Sequence, residues 1–315
     1  MNAMTELKNL RIPFELEQST AAKYRQLDVE YDPETRSLWT YMKPTGTACF
    51  NLGILQDFRS VDTSFQNAKG KASYNGKLET VDYAVIASKT AHVFNYGGDL
   101  ALFVLLIKSR DREALLHYAR LCVEGIYART TNFHSSAVTI SLIQGDALGG
   151  GFELALTSNV IVMEESARMG FPEILFNLFP GMGAYSLLTR RLGAKKAEEM
   201  ILGGKIYTAG ELHEMGIVDV LAPHGEGENA VYSFMRQNAK KLNGMRAMYQ
   251  CRHHTHPISY EELMNITELW VDSALLLQDR DLRMMGRLVR AQLRQQDLRK
   301  KGLPIEDDSN WAVEA

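Results

Sequence analysis

Cysteine is scarce in this chain. Cys49, Cys122 and Cys251 are the only three in 315 residues, with no CxxC and no ligand-like spacing. That excludes a disulfide-stapled scaffold and a cysteine-rich zinc module, and predicts a reducing, cytoplasmic setting. Long apolar runs are also missing. The longest, Leu100–Ile107, is eight residues, far short of the roughly 20 that cross a bilayer. The first nineteen residues hold no apolar h-region, so neither a membrane span nor a signal peptide is expected. Charge of one sign is not in excess: 35 Lys and Arg against 38 Asp and Glu leave a net charge of -3. No nucleic-acid or anionic-membrane partner is expected from that balance. His253, His254 and His256 cluster beside Pro257 without an HExxH spacing, so no metal is expected there. Ser135 and Ser136 lie in no GxSxG elbow. The glycines follow neither GxGxxG nor a GK[ST] order.

What is present reads as an ordinary globular chain, 45% hydrophobic and 23% charged, long enough for one large or two modest domains. Alternation predicts a hairpin over Arg25–Pro44 and a buried strand at Val81–Ser88. Leu52, Leu55 and Phe58 mark a helix over Phe50–Asn67, and Lys69–Lys77 (KGKASYNGK) reads as a surface spacer. Asp99 is placed to cap a helix from Leu100, and Asp111 one over residues 112–130 with the apolar stripe Leu115, Ala119, Cys122 and Ile126. Ala137–Gln144, the glycine turn and helix Ala147–Thr157, and Val160–Met163 read as a strand, crossover and strand. Helices follow at Gly183–Leu192, Ala194–Leu202 and Thr208–Met215, the last with a Thr208/Glu211 capping box. Ile217–Leu221 reads as a strand, and Glu226–Asn243 and Tyr260–Lys301 as mostly helical. The division expected is a polar extension (1–25), an α/β core (26–222) and a helical region (223–315).

The chemistry concentrates in Gly145-Asp-Ala-Leu-Gly-Gly-Gly-Phe-Glu153 and Gly170-Phe-Pro-Glu173. Three glycines at a helix start allow backbone N–H groups to approach a ligand closely. A second glycine turn, Asn95-Tyr-Gly-Gly-Asp99, also opens a helix after a strand, so two N–H groups can converge on one thioester oxygen. Glu153, inside the apolar Phe152–Leu156 stretch, and Glu173, among Phe171, Ile174, Leu175 and Phe176, are the candidate proton carriers. Glu164 and Glu165, in a polar MEESA turn, are expected to be solvated. Arg190, Arg191, Lys195 and Lys196 are either a solvated helix end or a contact for an acidic, phosphopantetheine-bearing carrier. Leu263, Ile266, Trp270, Ala274 and Leu277 recur at helical spacing, as core, subunit contact or the wall of an acyl tunnel.

Three blocks, FNYGGDL (94–100), IQGDALGGGFELALTSNVIVMEESARMGFPEI (143–174) and residues 180–221, resemble the crotonase (enoyl-CoA hydratase/isomerase) superfamily. The similarity covers roughly residues 30–245. It implies an α/β, crotonase-like spiral of ββα units with a helical C-terminal region that forms trimers, often paired as hexamers. It implies the N–H groups of Gly98 and Gly150 as oxyanion donors and Glu153 and Glu173 as the two catalytic carboxylates. Leu148, Gly149 and Phe171, which flank them, and Trp270 are the candidate substrate-binding residues. FNYGGDLALF leads directly into a helix instead of a lysine-rich, adenine-covering loop, and NLGILQDFRSVDTSFQN replaces a shorter helix pattern. Within the superfamily, those features look like the diffusible signal factor synthases of Gram-negative bacteria. That branch implies dehydration of a 3-hydroxyacyl chain, dodecanoyl-length by family expectation, to the cis-2-enoyl thioester, followed by release of the free acid. The substrate is carried on the phosphopantetheine of acyl carrier protein, with no further cofactor and no metal. In that scheme Glu173 takes the Cα proton and Glu153 protonates the departing hydroxyl, with exchange of roles left open. The rivals are an enoyl-CoA hydratase/isomerase of fatty-acid catabolism and a non-catalytic binding protein on the same scaffold.

Overall fold

A computed structural model describes residues 12–13 and 24–300. Most of the expected polar extension, and Lys301 onward, lie outside the described residues. A seven-stranded sheet runs in the order β1 (Ile12–Pro13), β2 (Leu27–Asp32), β3 (Ser37–Met42), β6 (Tyr83–Ser88), β8 (Val138–Ile143), β10 (Val160–Glu164), β13 (Val220–Ala222). The first three strands pair antiparallel and the rest parallel. A second sheet has the order β12 (Ile206–Thr208), β11 (Arg168–Gly170), β9 (Asp146–Leu148), β7 (Val93–Asn95). The chain visits the large sheet, then the small one, then a helix, three times over: β6–β7, β8–β9 and β10–β11. This is the expected spiral of ββα units. The small sheet's strands are only three residues long, and sequence periodicity does not resolve elements that short.

The helices are α1 (Leu52–Asn67), α2 (Leu100–Lys108), α3 (Arg112–Thr130), α4 (Gly150–Leu156), α5 (Ala184–Leu192), α6 (Ala194–Gly203) and α7 (Ala209–Glu214). The C-terminal region adds α8 (Gly227–Asn238), α9 (Leu242–Thr255), α10 (Tyr260–Ala274) and α11 (Asp279–Lys300). Their starts follow local chemistry. Side chains of Asn51, Asp99, Asp111 and Ser259 accept from the N–H three residues on, and Thr208 and Glu211 form the full capping box. On α1, Leu55 and Phe58 are buried as expected, with Ile54, Val61 and Phe65, while Leu52 is exposed. α10 packs on α3 and α11 on α2, so the C-terminal helices cover the spiral.

Two expectations are corrected. Lys69–Lys77 is no spacer: β4 (Lys71–Tyr74) and β5 (Lys77–Thr80) pair antiparallel around Asn75-Gly76, both at positive φ. Asn-Gly is the residue pair that such a two-residue hairpin turn demands. Glu164 is not solvated. It ends β10, is 1% exposed, and accepts from the N–H groups of Gly225 and Gly227 at 2.9 and 3.1 Å. A carboxylate at the start of α8 satisfies amides that the helix leaves free. Glu165, one residue on, is exposed as expected.

Candidate active site

β7, β9 and β11 are parallel neighbours in the small sheet, so the segments leaving their C-terminal ends emerge side by side. β7 is followed by Tyr96-Gly-Gly-Asp99, β9 by Gly149–Gly151, and β11 by Phe171-Pro-Glu173. Topology thus brings together both glycine turns and Glu173. Glu153 joins them because it sits three residues into α4, nearly one turn beyond Gly150.

Contact between the glycine turns is too close for side chains. A Cβ on Gly97 would fall 2.7 Å from the Gly150 nitrogen and the Leu148 carbonyl oxygen. One on Gly151 would overlap the Asn95 carbonyl. Gly149, at φ 52°, lies against the Glu173 carboxylate. The Gly150 N–H begins α4 and has no partner inside the helix. The Gly98 N–H makes no hydrogen bond among the described residues. Both amides are therefore available to an oxygen placed between the turns.

Tyr118, on α3, fixes the first turn. Its hydroxyl donates to the Phe50 carbonyl at 2.6 Å and accepts from the Asp99 N–H at 3.2 Å, while the Phe50 N–H donates to the Gly97 carbonyl at 2.8 Å. Gly98 is tied on both sides. Sequence reasoning passed over Tyr118; a hydroxyl one helical turn before Cys122 on an apolar stripe was the available signal. Tyr118→Phe is expected to lower kcat about tenfold with KM nearly unchanged, as a loosened oxyanion donor would. Steady-state kinetics check this; an unchanged kcat would mean the clamp is dispensable.

The two carboxylates differ in their surroundings. Glu153 is 1% exposed, and its Oε1 accepts from the N–H groups of Met182 and Ala184, both at 2.9 Å. These are amides at the start of α5, whose orientation favours a negative charge. Burial pushes the Glu153 pKa up to about 7, opposed by those backbone hydrogen bonds. Glu173 has an enclosed Oε2 without a partner. Burial first, and then the nearby Glu153 charge, pushes its pKa up to about 8. The two backbone donors on Glu153 favour its ionised form, and the partnerless Oε2 of Glu173 favours a proton there.

Both glutamates, Gly98, Gly149, Gly150 and Trp270 line one cavity of about 990 Å³, counting its open mouth. Its wall is mostly apolar and extends from α1 across α3 to α11. Trp270 is 2% exposed, lies on Gly181, and packs edge-on to Phe103 with ring centres 5.1 Å apart. Thr267, one turn earlier, donates to the Gly181 carbonyl at 2.8 Å, so α10 holds the loop that presents the Met182 amide.

Leu148 and Phe171 are off the cavity wall. Leu148 packs with Ala48, Val93 and Tyr96 on the other side of its strand, and Phe171 stacks on Phe152. Alternation along β9 turns Leu148 away from the glutamates. The basic cluster divides. Arg190 forms a two-pronged bond to Glu262, and Arg191 donates to the Leu156 and Ser158 carbonyls that end α4. These arginines hold the fold together. Lys195 and Lys196 are the solvated part, each with Glu199 as partner.

Among the described residues no group of three or more His, Cys, Asp or Glu is arranged to hold a metal ion, and no helix is long and apolar enough to cross a membrane. Residues 75–270 match the family model for enoyl-CoA hydratase/isomerase. The chain is 37% identical over 141 residues to the fatty acid oxidation complex subunit alpha of Pseudomonas savastanoi, which is 44% of this chain and 19% of that protein. The curated relatives it matches are covered over about a sixth to a third of their length. Among solved structures, Pseudomonas aeruginosa DspI superposes with a TM-score of 0.62 at 22% identity, over 76% of this chain and 93% of that one. Human mitochondrial delta3-delta2-enoyl-CoA isomerase superposes with a TM-score of 0.67 at 16% identity, over 86% and 99%. At such identities the superpositions establish the fold alone. The family match, which spans well over half of the chain, and the spiral of ββα units lead to one conclusion: this chain belongs to the enoyl-CoA hydratase/isomerase family of the crotonase superfamily.

Proposed function

We propose that this protein adds water across the 2,3 double bond of a 2-enoyl thioester, and runs the reverse dehydration of the 3-hydroxyacyl thioester at the same site. One observation carries this: Glu153, buried, and Glu173, half-buried with an enclosed Oε2, flank a pair of free glycine amides. The thioester oxygen sits between the Gly98 and Gly150 N–H groups, which stabilise the enolate as negative charge develops on it. Glu153 takes a proton from water, whose hydroxide adds to Cβ. Glu173 gives its proton to Cα. The pair ends with its proton on Glu153, and exchange with solvent resets it. Dehydration starts from that second state, with Glu173 as base and Glu153 as acid, the roles assigned from the sequence.

This arrangement predicts a bell-shaped pH dependence of kcat/KM. Activity needs one carboxylate and one carboxylic acid, so it rises as the pair loses its first proton, near 7, and falls as it loses the second, near 8. Both values belong to the coupled pair. Stability follows with the opposite demand. Each folded-state pKa lies above the unfolded one, so the stability they contribute is greatest below about pH 4.5 and is lost as pH rises toward about 8. A flat rate profile across this range would rule out the one-proton pair.

The carrier and the fate of the product define two versions. The matched curated relatives favour an enoyl-CoA hydratase of fatty-acid catabolism. One feature favours a diffusible signal factor synthase: α2 starts directly after Asp99, where ordinary hydratases by resemblance carry a lysine-rich loop over adenine. That version acts on 3-hydroxyacyl chains carried by acyl carrier protein. It adds hydrolysis of the thioester, with the same amides stabilising a tetrahedral oxyanion and a glutamate activating water. A trimer or hexamer built through residues 223–315 belongs to either version. Offering matched CoA and acyl carrier protein thioesters, then separating enoyl, hydroxyacyl and free-acid products by mass spectrometry, distinguishes them. Free cis-2-enoic acid from the protein-bound substrate selects the synthase; hydration of the CoA ester without release selects the hydratase.

A further inference from the structure

An acyl tunnel needs only apolar walls, yet this cavity has a buried guanidinium in its lining. Tyr118, Cys122, Ile126 and Arg129 all line it from one face of α3. Tyr118 touches the oxyanion turn, and Arg129 lies eleven residues further on, about 16 Å along the helix. Arg129 therefore stands where the tail of a bound acyl chain would end. Its side chain is 8% exposed and donates to Asp62 Oδ1 at 3.0 Å; the Asp62 side chain is 5% exposed. The faces of the guanidinium are occupied by the Phe58 and Phe133 rings, with centres 5.0 and 5.3 Å away. Nη2 holds Asp62, and Arg129 is part of the cavity lining. Asp62 Oδ2 has no hydrogen-bond partner and lies just beyond Gly125, itself part of the cavity wall.

A buried pair of this kind is no gain over apolar packing of equal volume, because desolvation offsets its attraction. Against an ordinary methyl-ended chain it is also a poor surface, because Asp62 Oδ2 stays without a donor. A hydrogen-bonding chain end offers what a methyl cannot. The pair is neutral overall, so it suits a neutral group; a carboxylate would gain Arg129 and be repelled by Asp62. A hydroxyl accepts from Arg129 and has a proton to offer.

We propose that the site selects acyl thioesters whose chain bears a hydroxyl at or near its far end, read by Arg129 as held by Asp62. This deepens the thioester function proposed above and rests on it. Calorimetry with the full-length protein tests it independently of turnover. The probes are saturated acyl-pantetheine thioesters ending in methyl, hydroxyl or carboxyl, at lengths of about 8 to 14 carbons to span the roughly 16 Å. At the best length the hydroxyl-ended chain should bind about tenfold more tightly than the methyl-ended one, the effect of one hydrogen bond to a charged group. Arg129→Met alone would strand a buried carboxylate, so the second protein is the double variant Arg129→Met/Asp62→Leu, which removes both charges. It should prefer the methyl-ended chain. Wild-type preference for the methyl-ended or carboxyl-ended chain would overturn the proposal, as would a hydroxyl preference that survives in the double variant. A hydroxyl preference without any hydration of the matching enoyl thioester would sustain the tail site and defeat the proposed reaction.

Discussion

Glu153→Gln should reduce kcat for hydration by about 10²–10⁴, with KM within a few-fold of wild type, since general-base catalysis contributes on that scale. The amide keeps the length and planarity of the carboxylate, and its oxygen can still accept from the Met182 and Ala184 N–H groups at the start of α5. Folding should survive; burial of a neutral group in place of an ionised one removes a desolvation cost. What the variant cannot do is take a proton from water. With the neighbouring charge gone, Glu173 also loses one of the two influences that raise its pKa. The falling limb of any residual pH profile should therefore move to lower pH. Steady-state kinetics across pH, with circular dichroism as the control for folding, give the answer. Retention of more than a tenth of wild-type kcat by a folded variant would remove Glu153 from the chemistry.

Gly151→Ala should be nearly as damaging by a different route. Its Cβ would overlap the Asn95 carbonyl, a backbone group that cannot rotate away. The two glycine turns must separate, and with them the Gly98 and Gly150 N–H groups. Loss of one oxyanion donor costs about 10²–10³ in kcat, and forcing a methyl into a filled contact costs about 1–3 kcal/mol of stability. The oxyanion is what the separated amides serve, so an enolate-like inhibitor should lose far more affinity than a substrate analogue. Equal loss for both ligands would mean that the turns serve binding alone.

How much of this was legible in the sequence depends on the range of the interactions involved. Asp99, Asp111 and Thr208 announce their helices because a cap acts over three residues. Glu153 is legible as buried because its neighbours Phe152, Leu154, Ala155 and Leu156 leave its helix no polar face. The meeting of Gly98 with Gly150 is not local. It follows from the pairing of β7 with β9, two three-residue strands some fifty residues apart in the chain. The family resemblance supplied it; periodicity alone does not. Glu164 deceived for the same reason: its amide partners come from Gly225 and Gly227, in a different element. Arg190 and Arg191 looked like a free basic patch because Glu262 and the Leu156 and Ser158 carbonyls are distant in sequence. Asn75-Gly76 was a local signal in plain view, and its flanking residues, short and half-polar, hid the hairpin.

The central claim is that water adds to Cβ while Glu173 delivers a proton to Cα. Turnover of a trans-2-enoyl thioester in D₂O enriched in ¹⁸O, followed by mass spectrometry of the product, tests it most directly. A 3-hydroxyacyl thioester carrying one ¹⁸O at C3 and one deuterium at C2 is the predicted result. Recovery of unlabelled enoyl thioester, or of a carboxylic acid labelled only at its carboxyl group, would contradict it.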